Sequence, residues 1–571
     1  MRPPPPSHHQ AQRRATACTA AAAVAALAVT LLATPTSAAS PSPSARPSAP
    51  AAGPDHINGY RSVGYYMADA PVTRDFHLAD LVTSGAIEDV THLNYAFGNV
   101  TTDLVCDIAD VQGEGDPEND FLRTVPAEHA VDGVADSPDQ VLAGNFNQLR
   151  KLKEVSPQTK VLVSLGGWTW SDNFSEAAST PERRSALVDS CLDLYIDGDL
   201  PEVDGRGGPG AAAGIFDGID IDWEWPVTGG ETANARPEDK ENFLLLMEEL
   251  RAELDARGAT NGEEYLLTAF APAGGWNAGQ GGWLDPRLFA AVDFLNVQGY
   301  DFHGGWVPGQ TGHQGNLHPD GDHNWGLGLD GAMGMYVQAG ASPDQLNAGL
   351  AAYGHGWYGV TDGSAAWQPA AGYVGTRTYA ELRDLGQAYF DAGLGASWRY
   401  DGDQWWSYDD PASVTAKAEW LAVNGYGGAM WWDLSGDHRN ELGDALGSTL
   451  RAATPGPSVD PACAAPWYAS GVYTGGDVVA HDGVEYRAAW WTRAQAPGRN
   501  SSGPWKPVGP CGTTPPVDVP TCAPAWSGAT TYTRGQVVSR AGVNHAAQWW
   551  TRGELPGSAP YGAWDAGTPC A

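Results

Sequence analysis

Three acidic residues in one short segment have the types and spacing of a catalytic site. Residues 215–226 read IFDGIDIDWEWP. Because side chains of a β-strand alternate between its faces, Asp220, Asp222 and Glu224 share one face, with about 7 Å between successive positions. Buried carboxylates at this spacing cannot all remain ionised, so at least one is expected to hold a proton at neutral pH. A carboxylic acid that stays neutral near pH 7 is what general acid catalysis requires.

The alternative for this segment is an acidic edge strand that faces water. It is disfavoured because the opposite face, formed by Ile219, Ile221 and Trp223, is wholly apolar and Pro226 ends the run. Asp217 is an odd number of positions away from each of the three carboxylates, so on a strand its side chain would point to the opposite face. We therefore interpret it as a structural residue.

Strand-like and helix-like segments alternate through residues 56–451. A helix is predicted at about 237–257, where apolar residues recur at helical spacing and a proline stands at the start. Eight such units predict a (β/α)₈ TIM barrel, in which chemistry lies at the carboxyl ends of the strands. The predicted strands are Ser62–Met67, His92–Phe97, Lys160–Leu165, Ile215–Glu224, Tyr265–Ala271, Phe294–Tyr300, Leu346–Tyr353 and Gly428–Asp433.

The C-terminal region repeats at a constant offset of 59 residues, as from Cys463 to Cys522, which predicts two copies of one small module after the barrel. Short apolar runs separated by turn residues predict that each module is all-β. Each repeat has two cysteines, which predicts the bridges Cys463–Cys511 and Cys522–Cys570. The full division is 1–39 signal peptide, 40–55 linker, 56–451 barrel, 452–461 linker, 462–511 first module, 512–521 linker and 522–571 second module.

The N-terminus has the features of a secretion signal: a basic head, an apolar stretch over 20–32 and small residues near 36–39. Arg13-Arg14 leaves both the Sec and the twin-arginine route open. In an exported protein, Cys106 and Cys191 either form a disulfide or remain free, since Cys191 also fits a buried helical position. The cysteines have no metal-ligand spacing, so neither a metal site nor a cofactor is predicted.

The composition excludes some classes of partner. Acidic residues outnumber basic ones by 68 to 32, for a formal net charge of −36. Nucleic acids and anionic membranes attract Lys-rich and Arg-rich surfaces, so neither is an expected partner. The 24 tryptophans suggest platforms for stacking sugar rings. We expect a secreted, extracellular monomer.

Four motifs in strand order resemble those of family 18 glycoside hydrolases, the chitinases. The acidic segment resembles the family's Asp-x-x-Asp-x-Asp-x-Glu signature, and residues 164–168 (SLGGW) resemble its Ser-x-Gly-Gly element. Residues 296–301 (NVQGYD) resemble Met-x-Tyr-Asp, and residues 427–432 (GGAMWW) resemble the element that ends in a sugar-floor tryptophan. The resemblance implies an α+β insertion at about 354–408, between strands 7 and 8, that forms one wall of a cleft. Gln298 replaces the common Met, and Trp225 the common Tyr.

The resemblance also implies roles for the catalytic residues. Glu224 would protonate the glycosidic oxygen while the acetamido oxygen of the sugar attacks its own anomeric carbon. Asp222 would orient the acetamido group, and Asp220 would adjust the proton position on Asp222. Tyr300 would hydrogen-bond the acetamido oxygen, and Asp301 would help to distort the sugar.

Five further residues are predicted to contact substrate. Trp432 is expected beneath the sugar ring, with packing inside the barrel as the alternative. Trp168 is expected on the leaving-group side, with a surface position as the alternative. Tyr65 and Phe97 match positions near the sugar, although core packing explains them equally well. Gln298 is expected beside the sugar because of its place in the Met-x-Tyr-Asp element.

The two modules resemble chitin-binding modules of carbohydrate-binding families 5 and 12. Each contains a Trp-Trp-Thr-Arg element, and flat indoles stack on the apolar faces of sugar rings. Because neighbours on a strand alternate sides, one tryptophan of each pair is expected in the core and one outside. The predicted chitin-binding residues are Trp490, Trp491, Trp505, Trp549, Trp550 and Trp564.

The resemblance therefore predicts a secreted chitinase that acts on chitin and chitooligosaccharides. Two alternatives remain open. One is a non-catalytic chitin-binding lectin on the same barrel, which the presence of Glu224 disfavours. The other is an endo-β-N-acetylglucosaminidase of the same fold that cleaves N-glycans, which the modules and the insertion disfavour.

Overall fold

The computed structural model describes residues 56–108, 115–231, 234–321 and 323–454, together with parts of 467–510 and 522–569. Eight parallel strands close into a barrel, and each pairs with the next strand along the chain, β8 returning to β1. This confirms the predicted (β/α)₈ barrel. The strands are β1 Arg61–Met67, β2 His92–Gly98, β3 Lys160–Gly166, β4 Gly218–Asp222, β5 Leu266–Ala271, β6 Phe294–Val297, β7 Leu346–Ala351 and β8 Gly428–Trp432.

Helices cover the outside of the barrel. The helix Asp239–Asn261 buries Phe243, Leu246 and Leu250, which belong to its predicted apolar stripe, and ends at Gly262 in the left-handed conformation. The other helices of six or more residues are Leu78–Thr83, Gly144–Val155, Pro181–Cys191, Gly275–Gly281, Pro286–Ala291, Leu329–Ala339, Pro411–Asn424 and Glu441–Ala452. None of the helices in the described part of the chain is long and apolar enough to cross a bilayer.

The predicted insertion between β7 and β8 is an antiparallel sheet of five strands with one short helix, Tyr379–Leu382. Its own apolar core includes Trp357, Trp398 and Trp405. In spatial order the strands are Gly372–Thr378, Tyr353–Tyr358, Trp405–Tyr408, Ala396–Tyr400 and Gln387–Asp391. The second of these strands begins two residues after β7 ends, so the insertion is joined directly to the carboxyl-end face of the barrel.

The two C-terminal modules have the same topology, a two-stranded and a three-stranded antiparallel sheet in each. In the first module, Val472–Tyr473 pairs with Thr492–Arg493, and Val478–His481, Val484–Ala488 and Trp505–Pro510 form the larger sheet. In the second, Thr531–Tyr532 pairs with Thr551–Arg552, and Val537–Arg540, Val543–Ala546 and Thr568–Pro569 form the larger sheet.

The tryptophans of the modules differ from prediction in two ways. Trp505 and Trp564 are only 3% exposed, pack edge-on against Tyr473 and Tyr532, and donate their indole N–H groups to backbone carbonyls, so they are core residues and not binding residues. Both members of each Trp-Trp pair are exposed, at 49–64%. The prediction of one buried and one exposed member was wrong because the strands begin only after each pair, at Thr492 and Thr551, and strand alternation does not apply to it.

Cys106 and Cys191 form a disulfide, which settles the alternative that the sequence left open. The bridge connects the segment after β2 to the end of the helix that follows β3. Cys522 is disulfide-bonded, whereas Cys463, Cys511 and Cys570 lie outside the described residues. The predicted signal peptide, the linker 40–55, residues 455–461 of the second linker and the linker 512–521 also lie outside them.

Candidate active site

Strand β4 presents its carboxylates as the alternation predicts. Asp220 and Asp222 are buried on the barrel interior, and the outward-facing Trp223 packs between Phe174 and Phe243. The strand ends at Asp222, not at Glu224 as predicted. Its neighbour β3 ends at Gly166, opposite Asp222, so no partner extends the ladder further. Glu224 follows two residues later, at the carboxyl end where barrels place their chemistry.

Asp220 lies at the bottom of the site and accepts three hydrogen bonds from hydroxyl groups. Tyr65 Oη and Ser164 Oγ donate to Asp220 Oδ2 at 2.7 and 2.8 Å, and Thr268 Oγ1 donates to Oδ1 at 2.5 Å. Complete burial raises the pKa of Asp220, and these three donors oppose the rise. The donors come from β1, β3 and β5, so the closed barrel is needed to bring them together.

Asp222 and Glu224 form a pair whose charges repel. Burial, followed by the charges of Glu224 and Asp220, raises the pKa of Asp222 well above its usual range. Burial and the nearby charge of Asp301 raise the pKa of Glu224 to about 8. The pair therefore holds at least one proton at neutral pH, in agreement with the sequence prediction. In the described part of the structure, the buried Asp222 Oδ1 has no hydrogen-bond partner, so it is available to a donor on a ligand.

Tyr300 and Asp301 follow β6 on the same face of the barrel. Tyr300 is buried, and burial together with the charges of Asp222, Asp301 and Glu224 raises the pKa of its hydroxyl, which therefore stays protonated. Asp301 accepts hydrogen bonds from Tyr353 Oη at 2.5 Å and from His355 Nε2 at 2.7 Å. Both donors lie on the first strand of the insertion, so the insertion fixes the Asp301 carboxylate.

An aromatic platform lies beside the carboxylates. The ring centroid of Trp432, at the end of β8, is 5.4 Å from that of Tyr65 and 5.7 Å from that of Phe97. Trp432 is partly exposed and lines the same cleft as Asp301, Tyr353 and His355. A flat apolar surface next to buried acids suits one face of a sugar ring.

Comparison with known sequences and folds identifies the barrel. The sequence model of Glycosyl hydrolases family 18 matches residues 61–437, and that of Carbohydrate-binding module family 5/12 matches residues 466–506. This chain belongs to glycoside hydrolase family 18. The matched residues run from β1 past the end of β8, so they include the acidic signature, the platform and the insertion.

Several family 18 proteins are similar to this chain. It is 37% identical to Chitinase C of Streptomyces lividans over 389 residues, which are 66% of this chain and 57% of that protein. It is 33% identical to Chitinase A1 of Niallia circulans over 444 residues, 71% of this chain and 60% of that protein. The chain thus spans 57–60% of the length of these curated relatives. Among solved structures, the catalytic domain of psychrophilic chitinase B from Arthrobacter TAD20 matches with a TM-score of 0.69 and 45% identity, over 71% of this chain and 98% of that one.

Two other residues that were predicted to contact substrate follow strands that carry the site. Trp168 is half exposed and lines a groove together with Glu224 and Trp225. Gln298 follows β6 and is partly buried, and its backbone N–H donates to the carbonyl of Ala271. The structure therefore places both next to elements that carry the site, but Trp168 alone has a large exposed surface.

Asp217 lies outside the site at the amino end of β4. Its carboxylate contacts Lys153 Nζ at 2.7 Å and accepts the backbone N–H of Val161 at 2.8 Å. The sequence interpretation of Asp217 as a structural residue agrees with this position.

Sequence reasoning missed the residues that hold the acids in place. Ser171 Oγ accepts the backbone N–H of Glu224 at 2.8 Å and donates to the carbonyl of Asp222, so it fixes the segment after β4. Thr268 and His355 act on Asp220 and Asp301 from distant strands. Ser164 lies within the Ser-x-Gly-Gly element, which was the one available signal. For the others, the sequence contains no local pattern that marks a side chain as a hydrogen-bond donor.

Replacing Tyr65 with phenylalanine is expected to move the acid limb of the pH profile of kcat/KM to higher pH. Hydrogen bonds to an ionised carboxylate lower its pKa, so removing the donor raises the pKa of Asp220, which must then lose its proton at a higher pH. We also expect kcat/KM at the optimum to fall about tenfold, which corresponds to one lost hydrogen bond to a charged group. Initial rates measured between pH 4 and 9 test this.

The matched control is Tyr66→Phe. Tyr66 is also fully buried on β1, but its hydroxyl donates to the backbone carbonyl of Phe76, away from the carboxylates. The control should lose stability without a shift of the acid limb. An equal shift in both variants would contradict the role assigned to Tyr65.

Proposed function

We propose that this protein is a secreted chitinase that hydrolyses β-1,4 bonds between N-acetylglucosamine units with retention of configuration. The observation that carries the proposal is the series Asp220, Asp222 and Glu224, in which the innermost acid accepts three hydrogen bonds and the outermost has a pKa of about 8. A lectin built on this barrel would not need a protonated carboxyl group at the carboxyl end of β4. Family membership and similarity to named chitinases support the same function.

The first step uses the proton on Glu224. Glu224 donates it to the glycosidic oxygen as the bond to the anomeric carbon breaks. The carbonyl oxygen of the 2-acetamido group attacks the anomeric carbon from the other side and forms a cyclic oxazolinium ion. Family 18 is an exception among retaining glycosidases, because the substrate provides the nucleophile in place of a second carboxylate.

Asp222 stabilises the positive charge that develops on the acetamido group. Its buried Oδ1 has no partner among the described residues, so it can accept the acetamido N–H. Asp220 lies on the same strand face, and its charge raises the pKa of Asp222, so it adjusts the position of the proton on Asp222 during the reaction. In the second step Glu224 accepts a proton from water, and the water oxygen bonds to the anomeric carbon. The bond between the anomeric carbon and the acetamido oxygen breaks, so the oxazolinium ring opens and the original configuration is restored.

Tyr300 and Trp432 position the sugar for this attack. The Tyr300 hydroxyl keeps its proton, as its raised pKa requires, and donates it in a hydrogen bond to the acetamido oxygen. Trp432 lies under the ring, with Tyr65 and Phe97 supporting the indole. Asp301, held by Tyr353 and His355, accepts a hydrogen bond from the substrate and favours a distorted sugar ring.

Both C-terminal modules bind chitin in this proposal. The match to carbohydrate-binding module family 5/12 covers the first module, and the second repeats its strands and its exposed tryptophan pair. Two modules on one chain raise the apparent affinity for a polymer, because binding of the first increases the effective concentration of the second.

Replacing both tryptophans of a pair with alanine is expected to weaken binding to insoluble chitin. We expect Trp490→Ala with Trp491→Ala to reduce binding about tenfold or more, and the additional change of Trp549 and Trp550 to reduce it further, since each module loses its stacking surface. Hydrolysis of soluble oligosaccharides should be unchanged. Sedimentation with chitin particles measures binding, and reducing-end assays measure hydrolysis.

The control for the pairs is Val508→Ala, which removes another exposed apolar side chain from the first module. It should bind chitin like the wild type. If the variant with all four tryptophans replaced bound chitin as tightly as the wild type, the proposed chitin-binding surface would be wrong.

The proposed export and partners rest on composition. Residues 1–39 act as an export signal, the mature protein is an extracellular monomer, and its partners are chitin and chitooligosaccharides. Its formal charge of −36 suits a neutral or partly deacetylated, cationic polymer. The Cys106–Cys191 bridge supports an oxidising compartment, where disulfides persist.

Incubation with colloidal chitin and with an N-glycosylated protein tests the proposed function. We expect soluble chitooligosaccharides from chitin and no release of glycans. Binding to chitin without any release of sugar would favour the lectin. Glycan release without cleavage of chitin would favour the endo-β-N-acetylglucosaminidase.

A further inference from the structure

A second group of chemically active side chains lies outside the carboxylate site. Asp75 and His77 belong to the segment after β1, and His129 belongs to the segment after β2. One ligand atom from each of the three lies within 4.8 Å of the others. The two imidazole rings stack with their centroids 3.8 Å apart, and His77 Nε2 is 3.3 Å from Asp75 Oδ1. None of the three has a role in the proposed hydrolysis.

The fold holds this group in place from both sides. Between Asp75 and His77, Phe76 is buried in the barrel core, and its carbonyl accepts the Tyr66 hydroxyl at 3.2 Å. His129 ends a single 3₁₀ turn, Ala127–His129, and the buried Ala130 follows it. The two histidines are partly buried, whereas Asp75 is exposed, so the group is open to solvent on one side.

One helix connects the two segments. Asn145 Nδ2, in the helix Gly144–Val155, donates to the carbonyl of Ala68 after β1 at 2.8 Å. Gln148 Oε1, one turn later in the same helix, accepts the backbone N–H of Val131 after β2 at 3.0 Å. The three residues are therefore presented by two segments with a common support, which limits the motion needed to close on a ligand.

The chemistry of the group suits a transition-metal cation. Two imidazole nitrogens and one carboxylate oxygen are a ligand set that zinc accepts, with a fourth position left for water. With zinc–ligand distances of about 2.1 Å, neighbouring ligand atoms in a tetrahedral site lie about 3.4 Å apart. The distance between His77 Nε2 and Asp75 Oδ1 is close to this value. The ligand atom of His129 lies within 4.8 Å of the other two, so a small shift of its side chain is needed to complete the set. Arg123 lines the same cavity as the two histidines, and its positive charge is paired with Glu118 at 3.5 Å.

We propose that Asp75, His77 and His129 bind one Zn²⁺ ion that links the segments after β1 and β2 at the catalytic face of the barrel. Cysteine spacing in the sequence gives no sign of this site, because none of its ligands is a cysteine and the third ligand is 52 positions from the second. The ion would stabilise the two segments without contacting the reacting sugar.

Zinc titration of the untagged, metal-free protein tests the site. We expect isothermal titration calorimetry to show one Zn²⁺ bound at this group, and a rise in the thermal midpoint on adding the metal, because a ligand that binds only the folded state stabilises it. His77→Asn and His129→Asn should each weaken this binding at least about tenfold, as loss of even an outer-shell partner costs 10- to 100-fold. Cobalt(II) in place of zinc should give the visible absorption of a nitrogen- and oxygen-bound ion in the wild type and lose it in both variants.

The matched control is His318→Asn, which removes a histidine that also contacts an aspartate, Asp330, at 2.9 Å. Since no second imidazole lies beside His318 among the described residues, this control should bind zinc like the wild type. Equal zinc affinity in the wild type and in His129→Asn, with both proteins folded by circular dichroism, would overturn the proposal. Because the readouts are binding and absorption, the result does not depend on hydrolysis of chitin.

Discussion

Replacing Glu224 with glutamine is expected to abolish chitin hydrolysis while leaving substrate binding intact. Glutamine has nearly the same shape but no proton to donate to the glycosidic oxygen, so the step that needs a neutral carboxylic acid is lost. General acid catalysis contributes about 10²–10⁴-fold to rates, and we expect kcat to fall at least by this factor. Initial rates on a soluble chitooligosaccharide and the dissociation constant of the same ligand measure the two effects separately.

Glu231→Gln is the matched control for this experiment. Glu231 is an exposed glutamate that lines the same groove as Glu224 and Trp168, but it has no place in the carboxylate series. The control should keep nearly full activity. Retention of activity by Glu224→Gln, or equal loss in both variants, would rule out Glu224 as the acid.

Fully deacetylated polymer is expected to resist cleavage by the wild-type protein. Without the acetamido group the sugar has no internal nucleophile, and intramolecular attack of this kind is worth effective molarities of about 10⁵ M or more. We expect the rate to fall on the order of 10⁵-fold. Binding should persist, because the amine-bearing polymer is cationic and the chain carries a formal charge of −36.

Partly acetylated polymer provides the control in this case. Cleavage should return with acetylation, and NMR should show that every new reducing end is an N-acetylated unit. The first product should be the β-anomer, as retention requires. New reducing ends on deacetylated units would mean that a protein group is the nucleophile and that substrate assistance is wrong.

The elements of the fold follow closely from local sequence patterns, whereas the support of the site does not. All eight barrel strands were predicted within a few residues, because most are short runs rich in apolar residues and β4 alternates apolar and acidic residues. The largest differences were in β4, which begins at Gly218 and ends at Asp222, and in β6, which ends at Val297. A strand ends where its neighbour stops pairing, and that is a property of the barrel that one segment cannot reveal.

The tryptophans of the modules illustrate the same limit. The repeat predicted which aromatic residues are equivalent, but burial depends on where the strands begin and on which polar groups the indole N–H can reach. Trp505 reaches a backbone carbonyl in the core, so it is buried, while Trp490 and Trp491 precede a strand and are exposed. Neither fact can be read from strand alternation.

The raised pKa of Glu224 also has a consequence for the resistance of the fold to alkali. Below the ordinary glutamate pKa of 4.5 both the folded and the unfolded chain carry the proton, so ionisation of Glu224 does not change the free energy of unfolding. Between that value and about 8 the unfolded chain releases the proton while the folded chain retains it, and each step in pH makes unfolding easier. Above about 8 the folded protein must accommodate a buried negative charge, and the penalty reaches its full size. The residue proposed as the acid catalyst is thus also one whose ionisation favours unfolding of the protein in basic solution.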